Sequence, residues 1–174
     1  MKYFVKFFVV TFLLLICTYA SAEQKVAYLD MKFVLNNSKA GKGAQDFLNK
    51  SFKENQKKFS DEETQLKKEE SDLLGQKTIL TKVEYQKNSD NLRKKVIDYQ
   101  SQRRTSLEKI TTQRAEARQQ LIDKLDPILK TYIKENNISL IVDKKNILMG
   151  NTDLDITNII VEKLNKEFPS LKIK

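Results

Sequence analysis

The chain has 174 residues and carries 32 Lys and Arg against 23 Asp and Glu, a formal net charge of +9. It has no His, no Trp and a single Cys, which excludes a His/Cys zinc cage, a His-based catalytic triad and a disulfide within the chain. Four Gly and two Pro are too few turn formers for a many-stranded sandwich or barrel built from one chain, and 32% charged residues with 9% aromatics point to long exposed helices in one domain.

Residues 1–22 have the form of a secretory leader. Lys2 and Lys6 precede an apolar run from Phe7 to Cys17, and Ala20-Ser21-Ala22 makes an A-x-A cleavage site before Glu23. The alternatives are an uncleaved anchor and a lipidated Cys17. The run is shorter than the roughly 20 residues that cross a bilayer, and Ile16 stands where a lipoprotein site needs a small residue. Cleavage between Ala22 and Glu23 removes two Lys and no acid, which lowers the charge to +7, and it removes the only Cys. A basic exported chain is drawn to anionic lipid, anionic protein or nucleic acid. Export makes nucleic acid the least favoured of the three.

Lys25 to Asp30 is a short apolar run of strand formers, read as a buried strand, and Met31 to Leu35 is long enough for one helical turn. Asn36 to Gly43 is polar and holds two Gly, so it is expected to be a flexible joint. Its Lys39-Ala40-Gly41-Lys42-Gly43 portion superficially resembles a phosphate loop, but Gly43 replaces the required Ser or Thr and Asn36 the first Gly.

From Ala44 to Leu74 there is neither Gly nor Pro, and Phe52, Phe59, Leu66 and Leu73 repeat every seven residues. The companion row, Asn55, Glu62 and Glu69, is polar. One apolar row supports only a loosely packed helix pair. Gly75 is a helix stop, and Thr81-Lys82-Val83-Glu84 is a capping box that opens a second helix. Residues 44–119 are therefore a helical hairpin with its tip at 75–81. The second helix carries a stripe through Leu92, Val96, Tyr99, Arg103, Leu107, Ile110, Arg114, Ala117 and Leu121, and its apolar face becomes wide only from Leu121 to Ile133. Pro127 should kink it. The 31 residues from Ala44 to Leu74 reach about 46 Å, more than a small domain can cover, so the hairpin must project.

Ser139 to Asp143 reads as a second strand, and Ile147 to Met149 as a third that forms a hairpin with it. Asp155 caps a last helix whose Ile156, Ile159, Ile160 and Leu164 share a face, and which ends near Phe168 before Pro169. The fold class is α+β and mostly α: a long antiparallel helical hairpin projecting from a small β-strand base, residues 23–43 and 120–174. Three short strands are a marginal sheet, and open edges invite pairing with another copy. Val26, Tyr28, Leu29, Leu140, Ile141, Val142, Leu148, Ile156 and Ile160 are the candidates for this association.

No nucleophile-and-base pair, metal site or cofactor site can be assembled, so the chain is expected not to be an enzyme. The acidic clusters Asp61 to Glu63 and Glu69 to Asp72 alternate with Lys57, Lys58, Lys67 and Lys68 at helical neighbour spacing and read as a self-paired surface. The arm instead offers isolated apolar groups among cations. Phe59, Leu66, Tyr85 and Ile97, with Lys87, Arg93, Lys94, Arg103 and Arg104, are the candidates for binding an anionic unfolded chain or lipid head groups. The competing account of the apolar groups is that they only hold the two helices together.

The segment ISLIVDKKNILMGNTDLDITNIIVEKLNKEF, residues 138–168, resembles the end of the Skp/OmpH family of chaperones, and KVAYLDMKFVL, residues 25–35, resembles its opening strand and helix. The resemblance implies a homotrimer, with the base strands joined in a small barrel and three arms around a cavity. It implies an ATP-independent periplasmic holdase for unfolded outer-membrane β-barrel proteins. Lipopolysaccharide is a further candidate partner, beside the anionic lipid that the basic charge suggests, but no motif on this arm matches the family's lipopolysaccharide-binding residues. The other classes open to a basic coiled coil are nucleic-acid binding and a structural adaptor.

Overall fold

The computed structural model describes residues 25–173; the leader expected at residues 1–22 and the cleavage site expected at Ala22–Glu23 lie outside them. In chain order the elements are β1 (Lys25–Leu29), α1 (Met31–Asn37), α2 (Lys39–Gly75), α3 (Lys82–Glu135), β2 (Ile138–Asp143), 3-10 turns at Lys144–Asn146 and Thr152–Leu154, and α4 (Thr157–Glu167). The helices α2 and α3 pair as the expected hairpin. At about 1.5 Å per residue, the 37 residues of α2 span about 55 Å and the 54 of α3 about 80 Å. The extra length of α3 is what enters the base.

β1 and β2 form a two-stranded parallel sheet, with Val26 opposite Leu140, Ala27 opposite Ile141 and Tyr28 opposite Val142. A parallel pair needs a long crossover, and here the whole arm is that crossover. One face of the sheet, Ala27, Leu29 and Ile141, joins Val34, Leu125, Ile128, Ile156, Ile160 and Leu164 in the main core. Leu125, Ile160 and Leu164 are almost wholly excluded from solvent, each contributing about 1.5–3 kcal/mol by burial. A second, smaller cluster of Leu35, Ala40 and Leu121 lies beside it, at the root of the arm.

The third strand expected at Ile147 to Met149, and with it the antiparallel hairpin, does not form. The Asp143 side chain accepts from Lys145 N at 3.2 Å, and Ile147 N donates to Lys144 O at 3.1 Å, closing a 3-10 turn that diverts the chain from β2. Leu148 and Met149 are left fully exposed. The chain then crosses over the Tyr28 ring at Gly150, where a Cβ would stand 3.0 Å from the ring. The other edge of β1 is taken by Asp155, in a parallel bridge to Tyr28, and Ile156 N donates to Tyr28 O at 3.0 Å.

Asp155 fixes this return. One carboxylate oxygen accepts from Thr157 N at 3.0 Å and from the Thr157 hydroxyl, and the other meets Lys144 Nζ at 2.8 Å. The Thr157 hydroxyl in turn accepts from Asp30 N at 2.9 Å. Burial pushes the Asp155 carboxyl up, but the bonds from Lys144 and Thr157 outweigh it and hold it below the usual aspartate value.

The joint expected to be flexible is also corrected. Ser38 ends α1 and caps α2 at once: its N–H donates to Val34 O at 3.1 Å and its hydroxyl accepts from Gly41 N at 3.1 Å. α2 thus begins at Lys39, with Gly41 and Gly43 inside it. Gly41 is needed for packing and not for freedom, because a Cβ there would lie 1.8 Å from the Leu35 carbonyl oxygen. Gly43 has open space around it. α3 runs on through Pro127, whose missing N–H removes one bond, to the Asp123 carbonyl. The buried stripe of α3 passes through Gln113 where Arg114 was expected.

The two glycines give opposite expectations. Gly41→Ala should destabilise the chain by about 1–3 kcal/mol by forcing α1 and α2 apart, whereas Gly43→Ala should stabilise it by about 1 kcal/mol, the helix-propensity difference. Urea unfolding followed by circular dichroism measures both.

Candidate functional site

Packing between α2 and α3 weakens with distance from the base. Near the root, Ala44 and Leu48 on α2, and Ile110, Gln113, Ala117 and Leu121 on α3, are buried. Further out, Phe59 and Tyr99 meet edge to face, with centroids 6.0 Å apart and planes at 69°. Beyond that pair, from residue 60 to residue 98, no residue is buried. The polar companion row explains this. A Glu62 carboxylate oxygen is enclosed with no hydrogen-bond partner, which costs about 1–3 kcal/mol.

Polar contacts partly replace the missing core. Tyr99 donates to Glu63 at 3.3 Å, Glu63 meets Lys67 at 2.7 Å, and Lys95 reaches across the hairpin to Glu69 at 2.7 Å. The Lys67 ammonium holds the Glu63 carboxyl below its ordinary value, and Lys95 does the same for Glu69. These pairs are mostly solvent-exposed, so each contributes little to stability. At the tip the capping box of Thr81 and Glu84 is complete: Glu84 N donates to the Thr81 hydroxyl, and Thr81 N donates to the Glu84 carboxylate at 3.1 Å.

The under-packed outer arm leaves an open groove of about 640 Å³ between the helices. Leu66, Tyr85, Arg93 and Ile97 from the sequence candidates come together there, and Leu73, Leu74, Leu92 and Val96 complete its apolar lining. The other candidates fall elsewhere. Phe59 is buried against Tyr99 and belongs to the seam. Arg103 and Arg104 line a separate recess of about 570 Å³ with Tyr99 and Leu107. Lys94 faces a polar recess beside Lys95 and Asp98, and Lys87 is exposed. The groove is less positive than expected, since Arg93 lies 3.7 Å from Asp90 and Lys67 is bound to Glu63. Leu73, Leu92 and Val96 carried the signal of seam residues; only the register of the two helices makes them groove walls.

In the base, Leu29, Ile156 and Ile160 are buried in the chain's own core, and Tyr28 is covered by the loop from Lys144 to Asp155. Ile141 and Val142 are half-buried. The residues left free are Val26, 43% exposed, Leu140, 55% exposed, and Leu148. Val26 and Leu140 are paired across the sheet on the face turned away from the core.

These features define a class: a small α/β base, closed from the two ends of the chain, that carries one long and loosely packed helical arm. A crystal structure assigned provisionally as an OmpH-like outer membrane chaperone from Caulobacter crescentus has the same fold, with a TM-score of 0.80 and 18% identity over 89% of this chain and 92% of that one. No curated protein matches the chain. The family model described as outer membrane protein (OmpH-like) matches residues 25–164, and the chain belongs to that family.

The seam makes a direct expectation. Phe59→Ala should cost about 3 kcal/mol and lower the melting temperature, because Phe59 and Tyr99 are the outermost buried contact. Leu66→Ala, on the open groove, should cost less than about 1 kcal/mol. Thermal melts of the two variants compare them.

Proposed function

We propose that the protein is an ATP-independent holdase of the periplasm that keeps unfolded outer-membrane β-barrel proteins from aggregating. The observation that carries this reading is the absence of any buried residue between positions 60 and 98. A helix pair with no core of its own can part and close around an irregular guest, and its groove offers aliphatic and aromatic side chains without demanding one shape. Barrel strands alternate apolar and polar residues, which suits a lining of scattered apolar groups set among charges. Family membership supports the same role.

The base supplies the multivalency. Val26 and Leu140 on the outer sheet face, with Leu148 beyond it, form an apolar surface that self-association would cover, and the proposed assembly is a trimer with three arms around one client. Each groove contact is weak, but arms held side by side raise the effective concentration of the next contact.

The test is the mass of the leaderless chain by light scattering, alone and with a urea-unfolded outer-membrane β-barrel protein diluted into it. The expected results are a mass of three chains, a soluble complex with the client, and reduced client capacity in a Leu66→Ser/Ile97→Ser variant of unchanged mass. A monomer that lets the client precipitate contradicts the proposal.

A further inference from the structure

Three asparagines head an Asn-x-Ser triplet, the acceptor sequence for N-linked glycan in exported chains: Asn36, Asn49 and Asn137. The fold separates them. Asn36 lies in α1, its side-chain oxygen accepts from Gln45 at 3.0 Å, and its Ser38 is wholly buried as the cap of α2. Asn49 and Ser51 lie inside α2, where the backbone bonds of the helix hold them. The third triplet, Asn137-Ile138-Ser139, joins α3 to β2. Asn137 and Ser139 are both exposed. Asn137 has a φ of 54° and is the one non-glycine residue with positive φ among the described residues. Asn136 closes the end of α3: its N–H and its side-chain amide both donate to the Tyr132 carbonyl, at 3.1 and 2.9 Å. The Asn137 side chain has no partner among the described residues. Lys25 pairs with Ile138 and Val26 with Leu140, so Ser139 stands outside the ladder as the extra residue of a bulge.

Backbone geometry explains only part of this arrangement. Asn tolerates the left-handed region, and Gly would serve there as well. That geometry asks for nothing at Ser139, nor at Glu135, an acid two residues before the free amide whose side chain is 57% exposed and 3.4 Å from Lys163. An amide nitrogen is a poor nucleophile, because its lone pair is delocalised into the carbonyl. It reacts when an enzyme turns the side chain out and holds the segment around it. A bent triplet outside the ladder allows this, and a helical one does not. Ser139 offers a hydroxyl and Glu135 a negative charge for that hold. We propose that Asn137 is a glycosylation site, modified in the periplasm by an oligosaccharide carried on a polyprenyl diphosphate. The Asn137 Nδ2 attacks the anomeric carbon of the first sugar and gives up one proton to a base of the transferase. The bond from that carbon to the diphosphate oxygen breaks, and the diphosphate leaves with the electron pair. The site stands at the base end of α3, a helix of about 80 Å, so a glycan there leaves the groove of the outer arm open. The inference rests on the periplasmic placement proposed above and goes beyond client holding.

Tandem mass spectrometry of the full chain, purified from the cells that make it naturally, tests this. The expected result is an added oligosaccharide mass on the peptide that holds Asn137, with sugar fragment ions, while Asn36 and Asn49 stay bare. The addition should be lost in Asn137→Gly, which keeps the left-handed backbone, and in Ser139→Ala and Glu135→Gln, each with its helicity unchanged by circular dichroism. An unmodified Asn137, an addition at Asn36 or Asn49 instead, or an addition that persists in Ser139→Ala or Glu135→Gln overturns the proposal. The N-terminus read from the same spectra tests the periplasmic placement separately: a start at Glu23 supports it, and a start at Met1 contradicts it. Bare Asn137 on a chain that begins at Glu23 therefore overturns the glycan alone, and bare Asn137 on a chain that begins at Met1 overturns both.

Discussion

The structure depends on the closing of the chain's two ends around the last third of α3. β1 and α1 from one end, and β2 and α4 from the other, converge on Leu125 and Ile128. This holds one end of an 80 Å helix, to within about 10% by the 1.5 Å rise, and leaves the other end free. Every residue outward of the root must then find its partners within the hairpin. The heptad row of α2 supplies one apolar row and not two, so burial falls off along the arm and ends at Phe59 and Tyr99.

That gradient links packing to function. Where two helices share few buried groups, the energy that holds them together is small and local opening is cheap. The root is different: Ser38 caps one helix while ending another, and Gly41 lets their backbones touch, so the arm springs from a tight corner. The loose packing therefore lies in the outer hairpin and not at its base. The free surfaces are distributed accordingly. Val26 and Leu140 lie on the base, the groove walls along the outer arm, and Ile79 and Val83 at the tip.

Much of this was legible in the sequence. The long run without Gly or Pro, the seven-residue spacing from Phe52 to Leu73 and the Thr81 capping box gave the hairpin and its tip, because helix boundaries are decided locally. The thick apolar face after Ala117 gave the point where α3 enters the base. The resemblance of the two end segments gave the family. What escaped depends on contacts between distant residues. Three apolar residues, Ile147 to Met149, are too short a run for periodicity to distinguish a strand from a loop, and the turn set by Asp143 decided it. Gly41 looked like a hinge because a glycine needed for close approach and a glycine needed for freedom look alike in sequence. The groove could not be drawn because the register that sets Leu66 near Ile97 is a property of the folded pair.

The central claim is that the arm is rigid at its root and under-packed beyond the Phe59–Tyr99 contact. Amide hydrogen exchange of the free protein, resolved along α2 and α3, measures this directly. The account predicts strong protection from Ile110 to Ile128 and progressively weaker protection from residue 60 to residue 98. Uniform strong protection along the whole hairpin would contradict it.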